Sequence, residues 1–167
     1  MTKQDVMGAI EREWNAFANL AESFEEKDRV IPGAIGHWNV HEGLLHIAAW
    51  DNETMLLVEQ FEENGAKPDW LGHSENAVDE LNEQQVAERR NLDPILIWEH
   101  FRDTHKTLVG FLETCDEHVF AQGTFTGDSI KGGNMATLPG TWTRFQSFQR
   151  VIVGPQYKDA VKLESAS

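Results

Sequence analysis

Apolar residues recur at steps of three and four along most of the chain, which predicts amphipathic helices rather than strands. The first stripe predicts a helix over residues 3–26, and its apolar positions are Val6, Ile10, Trp14, Phe17, Ala21 and Phe24. Its glutamates fall off that stripe. No segment of useful length alternates between apolar and polar residues, and no repeat period is present. The pattern therefore predicts an all-α protein.

A second helix is predicted from Asn39 to about residue 63, followed by the stop signal Asn64-Gly65. Asn39 can accept hydrogen bonds from free backbone N–H groups, and Glu42 three residues later completes a capping box. The middle of this helix is apolar on nearly all sides. Such a helix packs against more than one neighbour or lines a pocket.

The second half of the chain predicts a short accessory helix over 75–90 and a longer one that starts at Asp93-Pro94 and ends near Cys115. Residues 121–140 contain five of the 13 glycines and are expected to form a long loop. Thr141 should cap the last helix, which Gly154-Pro155 should break or kink. The expected fold is a single domain over 1–167, an up-down four-helix bundle with an accessory helix and a long glycine-rich loop.

Charge and cysteine content restrict the partners that we expect. The formal net charge is −14 and no basic cluster is evident, so we expect no nucleic-acid partner and no attraction to anionic lipid. Cys115 is the only cysteine, which fits a reducing compartment. No secretory signal and no run of about 18 apolar residues is visible, so the expected location is cytoplasmic, without a membrane partner.

One candidate metal motif fails on its spacing. His41-Glu42 followed by His46 resembles the zincin pattern, in which the two histidines lie four residues apart on one helix face. Here they are five residues apart, which separates them by about 140° around the helix. These two histidines therefore cannot bind one ion from the same side.

His46 is nevertheless the leading candidate for chemistry, because it is a histidine in the middle of an apolar helical run. A metal site would need further ligands from facing helices, and His105 or Asp159 could supply them. The alternative is a hydrogen-bonded core histidine. An aromatic pocket, or simply core packing, could likewise involve the tryptophans Trp38, Trp50, Trp70, Trp98 and Trp142.

The run Trp38-Asn-Val-His-Glu-Gly-Leu-Leu-His46-Ile-Ala-Ala-Trp50-Asp resembles the second-helix signature of the DinB-like four-helix-bundle superfamily, and is most similar to the ClbS/DfsB family. The segment Val78-Asp-Glu-Leu-Asn-Glu-Gln-Gln-Val-Ala-Glu-Arg89 resembles the part that precedes the third bundle helix there. The first apolar stripe and the late Gly154 followed by Tyr157 fit as well. The resemblance covers nearly the whole chain.

This resemblance implies a divalent metal, zinc or nickel, with His46 as a ligand. The family's other ligands come from a histidine pair on the last helix, where this chain has Asp159 and Leu163. Asp159 could coordinate an ion but Leu163 cannot, and no histidine follows His118. The residues therefore favour a protein without a metal.

The superfamily includes thiol-dependent transferases and hydrolase-like proteins, and the ClbS/DfsB branch resembles self-protection proteins that bind or open a reactive small molecule. The expected function is thus small-molecule binding in the bundle pocket, with hydrolase or transferase activity left open. The expected catalytic residues are His46, Tyr157 and Asp159, and the expected substrate-binding residues are Trp50, Glu53, Trp98, His105 and Trp142. The alternatives are a non-catalytic module that sequesters a ligand and a structural helix bundle, and a homodimer is the expected assembly.

Overall fold

The computed structural model describes residues 1–72 and 74–166, without the side chains of residues 75, 134–137 and 153–166. The α-helices are α1 (Lys3–Ser23), α2 (Val40–Asn64), α3 (Glu75–Ala87), α4 (Pro94–Thr114), α5 (Phe125–Ile130) and α6 (Thr137–Ala166). A 3-10 helix, Glu117–Phe120, precedes α5, and a π-helix, Lys131–Ala136, joins α5 to α6. The all-α fold is confirmed. Within the described residues, no helix is long and apolar enough to cross a membrane.

The helix boundaries that depend on local capping are confirmed. Asn39 accepts a hydrogen bond from the backbone N–H of Glu42, and the Glu42 carboxylate accepts one from the N–H of Asn39. Gly65 ends α2 in the left-handed conformation, with φ of 69°. Asp93 caps α4 and Pro94 occupies its first turn. Each cap satisfies backbone groups that the helix itself leaves free.

Contacts between helix ends give the direction of three bundle helices. Lys3, at the start of α1, donates from Nζ to the backbone carbonyl of Glu113 at the end of α4 (2.6 Å). Glu42, at the start of α2, pairs with Arg90, which lies just before α4 (2.8 Å). Helices α2 and α4 therefore start at the same end of the bundle, and α1 runs in the opposite direction.

The aromatic contacts place α6 alongside α1. The ring centroids of Phe17 and Phe145 lie 5.1 Å apart, and further along both helices those of Phe24 and Phe148 lie 6.2 Å apart. Helix α6 thus runs in the same direction as α1. The bundle is up-down-down-up rather than strictly alternating, because the connection through α3 returns the chain to the end at which α2 starts.

Two clusters of buried apolar residues form the core. The larger cluster joins α1, α2, α4 and α6, and includes Phe17, Phe24, Leu44, Phe101 and Phe145. The smaller one lies towards the other end of the bundle, and includes Val6, Ile10, Val58, Leu108 and Phe120. Burial of these side chains is the main stabilising contribution to a fold of this kind.

The expectation of a long loop over 121–140 is wrong, because most of this segment is helical. Its glycines allow close packing instead. A Cβ atom at Gly133 would lie 2.7 Å from Thr54 Oγ1 on α2, and one at Gly127 would collide with the Ala121 carbonyl oxygen. At these two positions the chain packs too closely for a side chain.

The expected start of the last helix is also wrong. The chain enters α6 at Thr137 directly from the π-helix, so Thr141 lies inside α6 rather than at its cap. The break expected at Gly154-Pro155 is absent from the described backbone, since α6 is one element from Thr137 to Ala166.

Candidate functional site

A cleft of about 470 Å³ opens beside His46. Four parts of the chain form its walls: the segment before α2, then α2, α3 and α6. Its lining residues are Ile35, Gly36, His37, Trp38, His46, Asp79, Asn82, Glu83 and Arg144. The volume suits a small molecule, and the walls combine an aromatic face with convergent polar groups.

His46 lies in the cleft wall with its imidazole in the neutral form. Burial, and then the positive charge of Arg144, lower the pKa of His46 from 6.5 to about 4. Its Nδ1 atom is buried and has no hydrogen-bond partner among the described residues. The ring centroid lies 5.2 Å from that of Trp38. His46 is thus a neutral imidazole whose buried Nδ1 no described side chain or backbone group uses.

The carboxylate of Glu83 on α3 accepts hydrogen bonds that hold other residues of the cleft wall in place. Trp38 donates from Nε1 to Glu83 (2.8 Å), and Arg90 donates to the other carboxylate oxygen (2.6 Å). His37 Nε2 lies 3.2 Å from the same carboxylate. Hydrogen bonds from Arg90 and then from Trp38 lower the pKa of Glu83, so its carboxylate stays ionised. Arg90 also pairs with Glu42, which ties α3 to the start of α2.

Arg144 supplies the positive charge that faces His46. It lies on α6, one residue before the buried Phe145, and its side chain is exposed. It makes no ion pair with any residue that the structure describes. A cation that no described carboxylate pairs with, placed beside a neutral imidazole, favours a ligand that carries, or develops, negative charge.

Trp50 and Glu53, both expected to bind substrate, lie just beyond this cleft. Trp50 donates from Nε1 to Oδ1 of Asn82, which lines the cleft (2.8 Å). Glu53 accepts a hydrogen bond from Nε1 of Trp70 (3.0 Å). Trp50 is therefore a supporting residue of the cleft and not one of its lining residues.

The other expected substrate-binding residues lie in the core, which corrects that prediction. Trp98 is a member of the larger cluster, and Trp142 packs against it. His105 stacks on Trp14 with a centroid distance of 4.1 Å, and burial lowers the pKa of His105 to about 4. These side chains were expected in a pocket because they are large and aromatic, but the apolar faces of their helices turn them towards the bundle interior.

Two expected catalytic residues, Tyr157 and Asp159, lie outside the described side chains. The predicted pairing of Asp159 with His46 therefore stays a prediction. Among the side chains that are described, no group of three His, Cys, Asp or Glu residues could hold a metal ion. Of the ligands that the sequence resemblance implies, the described side chains include His46, while Asp159 lies outside them.

Sequence reasoning did not find most of the cleft. Asn82 and Glu83 on α3 and Arg144 on α6 lie far along the chain from His46, so no local motif joins them to it. It also missed Asp51, a buried acid on α2 whose Oδ2 has no hydrogen-bond partner among the described residues. The signal for Asp51 was available, since a lone acid follows the apolar run Ile47–Trp50.

No protein-family model matches the sequence, and the search of curated proteins finds no match. Solved structures do match. The colibactin self-resistance protein ClbS, in complex with dsDNA, aligns with a TM-score of 0.75 and 15% identity over 89% of this chain and 96% of that one. An uncharacterised protein from Escherichia coli UTI89 aligns with a TM-score of 0.75 and 12% identity over 89% and 93%. DfsB, a sibling lethal factor precursor, aligns with a TM-score of 0.68 and 15% identity over 90% and 96%.

These likenesses define the class of the protein: it is an all-α helical bundle of a known type, matched over nearly its whole length. More particularly, the chain has the fold of the ClbS and DfsB structures. The resemblance of the second-helix signature to this family is thereby confirmed at the level of fold.

The exclusion of a nucleic-acid partner was wrong. ClbS, which has this fold, was solved in complex with double-stranded DNA. The inference from the net charge of −14 fails because binding to a phosphate backbone depends on where cations lie locally, and not on the sum over the chain.

Proposed function

We propose that this protein binds a reactive, electrophilic small molecule in the cleft beside His46. One observation carries the proposal: a neutral imidazole, whose buried Nδ1 has no partner among the described side chains, lines a cleft of about 470 Å³ next to the charge of Arg144. The fold shared with a colibactin self-resistance protein supports this class of ligand.

The chemistry follows from the protonation state of His46. An imidazole with a pKa of about 4 is unprotonated at neutral pH, so it can accept a proton or attack an electrophile without first losing one. Negative charge that develops on the ligand would be stabilised by Arg144. The same negative charge would offset the effect of Arg144 on the pKa of His46, which would rise and make the imidazole a stronger base.

Bromoacetate tests this site, because it is a small anionic electrophile. An imidazole nitrogen of His46 attacks the CH₂ carbon, the carbon–bromine bond breaks, bromide leaves, and the ring N–H proton is lost to solvent. Peptide mass spectrometry measures carboxymethylation of each histidine over time. We expect the rate at His46 to saturate with bromoacetate concentration and to exceed the rate at the exposed His37. Unsaturable modification of His46, slower than that of His37, would contradict the proposal.

Two arginines on α6 provide a matched pair for this experiment. Arg144→Gln should slow the reaction of His46 with bromoacetate by about tenfold, the effect of about 1.4 kcal/mol of lost charge interaction. Arg150→Gln removes an exposed charge outside the cleft and should leave the rate unchanged. Arg144→Gln should not slow the reaction of His46 with neutral bromoacetamide, because that reagent carries no charge for Arg144 to attract.

Catalysis and simple sequestration predict different outcomes once the natural ligand is known. A hydrolase or transferase releases a changed product and turns over repeatedly, whereas a sequestering protein stops after one equivalent. His46→Ala should abolish turnover in the first case, while a full retention of turnover would exclude His46 as the base.

Contact with double-stranded DNA is a second candidate function, favoured by the fold shared with ClbS in its DNA complex. Fluorescence anisotropy with a labelled duplex at low and moderate salt would test it. Binding that weakens steeply with salt would support phosphate contacts. An unchanged anisotropy at high protein concentration would exclude the function for this chain.

A further inference from the structure

A second pocket is lined by Trp50, whose indole N–H binds the cleft residue Asn82. Its volume is about 200 Å³. Its lining residues include Trp50, Leu57, Trp70, Leu71, Gly132 and Gly133. An apolar cavity of about 150 Å³ accommodates benzene. The pocket is therefore large enough for a substituted six-membered ring or a small fused ring system.

The two tryptophans present fixed aromatic surfaces. Their rings meet edge to face, with centroids 5.6 Å apart and an interplanar angle of 89°. The indole N–H of Trp50 is bound by Asn82 and that of Trp70 by Glu53. Because both polar atoms already have acceptors, the ring faces remain for apolar contact. Aromatic rings favour this arrangement of faces and edges.

The π-helix contributes two glycines to the pocket, and close packing requires glycine at only one of them. At Gly133 an added Cβ would lie 2.7 Å from Thr54 Oγ1, so close packing requires glycine there. At Gly132 an added Cβ would meet no described atom within 4 Å. Leu71 on the facing segment keeps 43% of its surface exposed. Gly132 thus faces unfilled space beside apolar side chains.

We propose that the pocket between Trp50, Trp70 and Gly132 binds a planar aromatic ring of a small molecule. Asn82 connects it to the His46 cleft, since Asn82 lines that cleft and accepts the Trp50 hydrogen bond. The ligand class is then an elongated molecule with an aromatic ring at one end and an electrophilic or anionic group at the other. This last step rests on the function proposed for the His46 cleft.

The probe for the pocket is 5-fluoroindole, observed by ¹⁹F NMR in a titration of the whole protein. The wild type should broaden and shift the fluorine resonance saturably. Gly132→Leu should weaken this binding at least tenfold, because the new side chain fills the space that the ring would occupy. Gly110→Leu is the matched control, since Gly110 is also an exposed helical glycine with nothing within 4 Å of an added Cβ. That variant should bind as the wild type does.

The two proposals can fail separately. His46→Ala should leave 5-fluoroindole binding unchanged, and Gly132→Leu should leave carboxymethylation of His46 by bromoacetate unchanged. Absence of saturable 5-fluoroindole binding to the wild type, or equal binding by Gly132→Leu, would overturn the aromatic pocket. Thermal unfolding of the two leucine variants shows whether Gly132→Leu is folded like Gly110→Leu. If it is not, Trp70→Leu removes the ring contact in a second way and should likewise weaken 5-fluoroindole binding.

Discussion

Asp51 should make the protein less stable as the pH rises, and its replacement by asparagine should remove this dependence. The carboxyl group is buried in α2, with 2% of the residue surface exposed. Burial raises the pKa of Asp51 from 3.8 to about 8. The folded state therefore holds a neutral carboxylic acid at neutral pH, while the unfolded chain holds a carboxylate.

The size of the effect follows from proton linkage. Below pH 3.8 Asp51 is protonated in both the folded and the unfolded state, so its ionisation does not change the free energy of unfolding. Between that pH and about 8 the unfolded state alone releases a proton, so the free energy of unfolding falls by about 1.4 kcal/mol for each pH unit. From pH 5 to pH 7 the wild type should lose about 3 kcal/mol from this one group. Asparagine keeps the shape but does not ionise.

Urea unfolding of the wild type and of Asp51→Asn at pH 5, 6, 7 and 8 measures this difference. The stability of the variant relative to the wild type should rise with pH, which moves the urea midpoint by about 0.5–1 M per pH unit for a protein of this size. Asp69→Asn, at an exposed position in the turn after Pro68, is the control and should differ from the wild type equally at each pH. A constant difference for Asp51→Asn as well would refute the reasoning.

The remaining predictions concern packing, charge and capping, and urea unfolding measures each of them. Gly43→Ala should lower the free energy of unfolding by about 1–3 kcal/mol, because the new Cβ would lie 2.5 Å from Cζ of Phe145, whereas Gly110→Ala should raise it by up to about 1 kcal/mol. His105 should destabilise the fold as the pH falls from 6.5 towards 4, because burial lowers its pKa to about 4 and the unfolded chain binds the proton first. His105→Gln should therefore reduce the loss of unfolding free energy over this pH range. An unchanged pH dependence would contradict the role of His105. Asn39→Ala should cost about 1 kcal/mol at the start of α2, and Asn39→Ser should restore most of it.

The parts of the fold that the sequence predicted are those that depend on local chemistry. The caps at Asn39, Gly65 and Asp93 satisfy backbone groups within a few residues, so their sequence pattern is sufficient. The glycine-rich segment was predicted wrongly for the opposite reason. Gly133 is glycine because Thr54, far away in sequence, lies against it. Composition alone cannot distinguish such a close approach from a flexible loop.

The candidate site divides in the same way. His46 was found because it interrupts an apolar helical run, which is visible in the sequence. His105 shares that signal, yet it stacks on Trp14 in the core, whereas His46 lines a cleft. The difference arises from which neighbouring helix each residue faces. Arg144 and Glu83, which set the charge of the cleft, are likewise brought to His46 only by the tertiary fold.

Helix α3 forms one wall of the cleft, and this wall is less firmly packed than the rest of the bundle. It contributes Asp79, Asn82 and Glu83 to the lining, but Val86 is its one fully buried apolar residue among the described side chains. The polar contacts of Glu83 and Asn82 otherwise hold it on the bundle. Such an element can open and close without unfolding of the whole protein. The backbone amides of α3 should therefore exchange with solvent faster than those of α2, and the cleft should admit ligands wider than its closed form through these brief local openings.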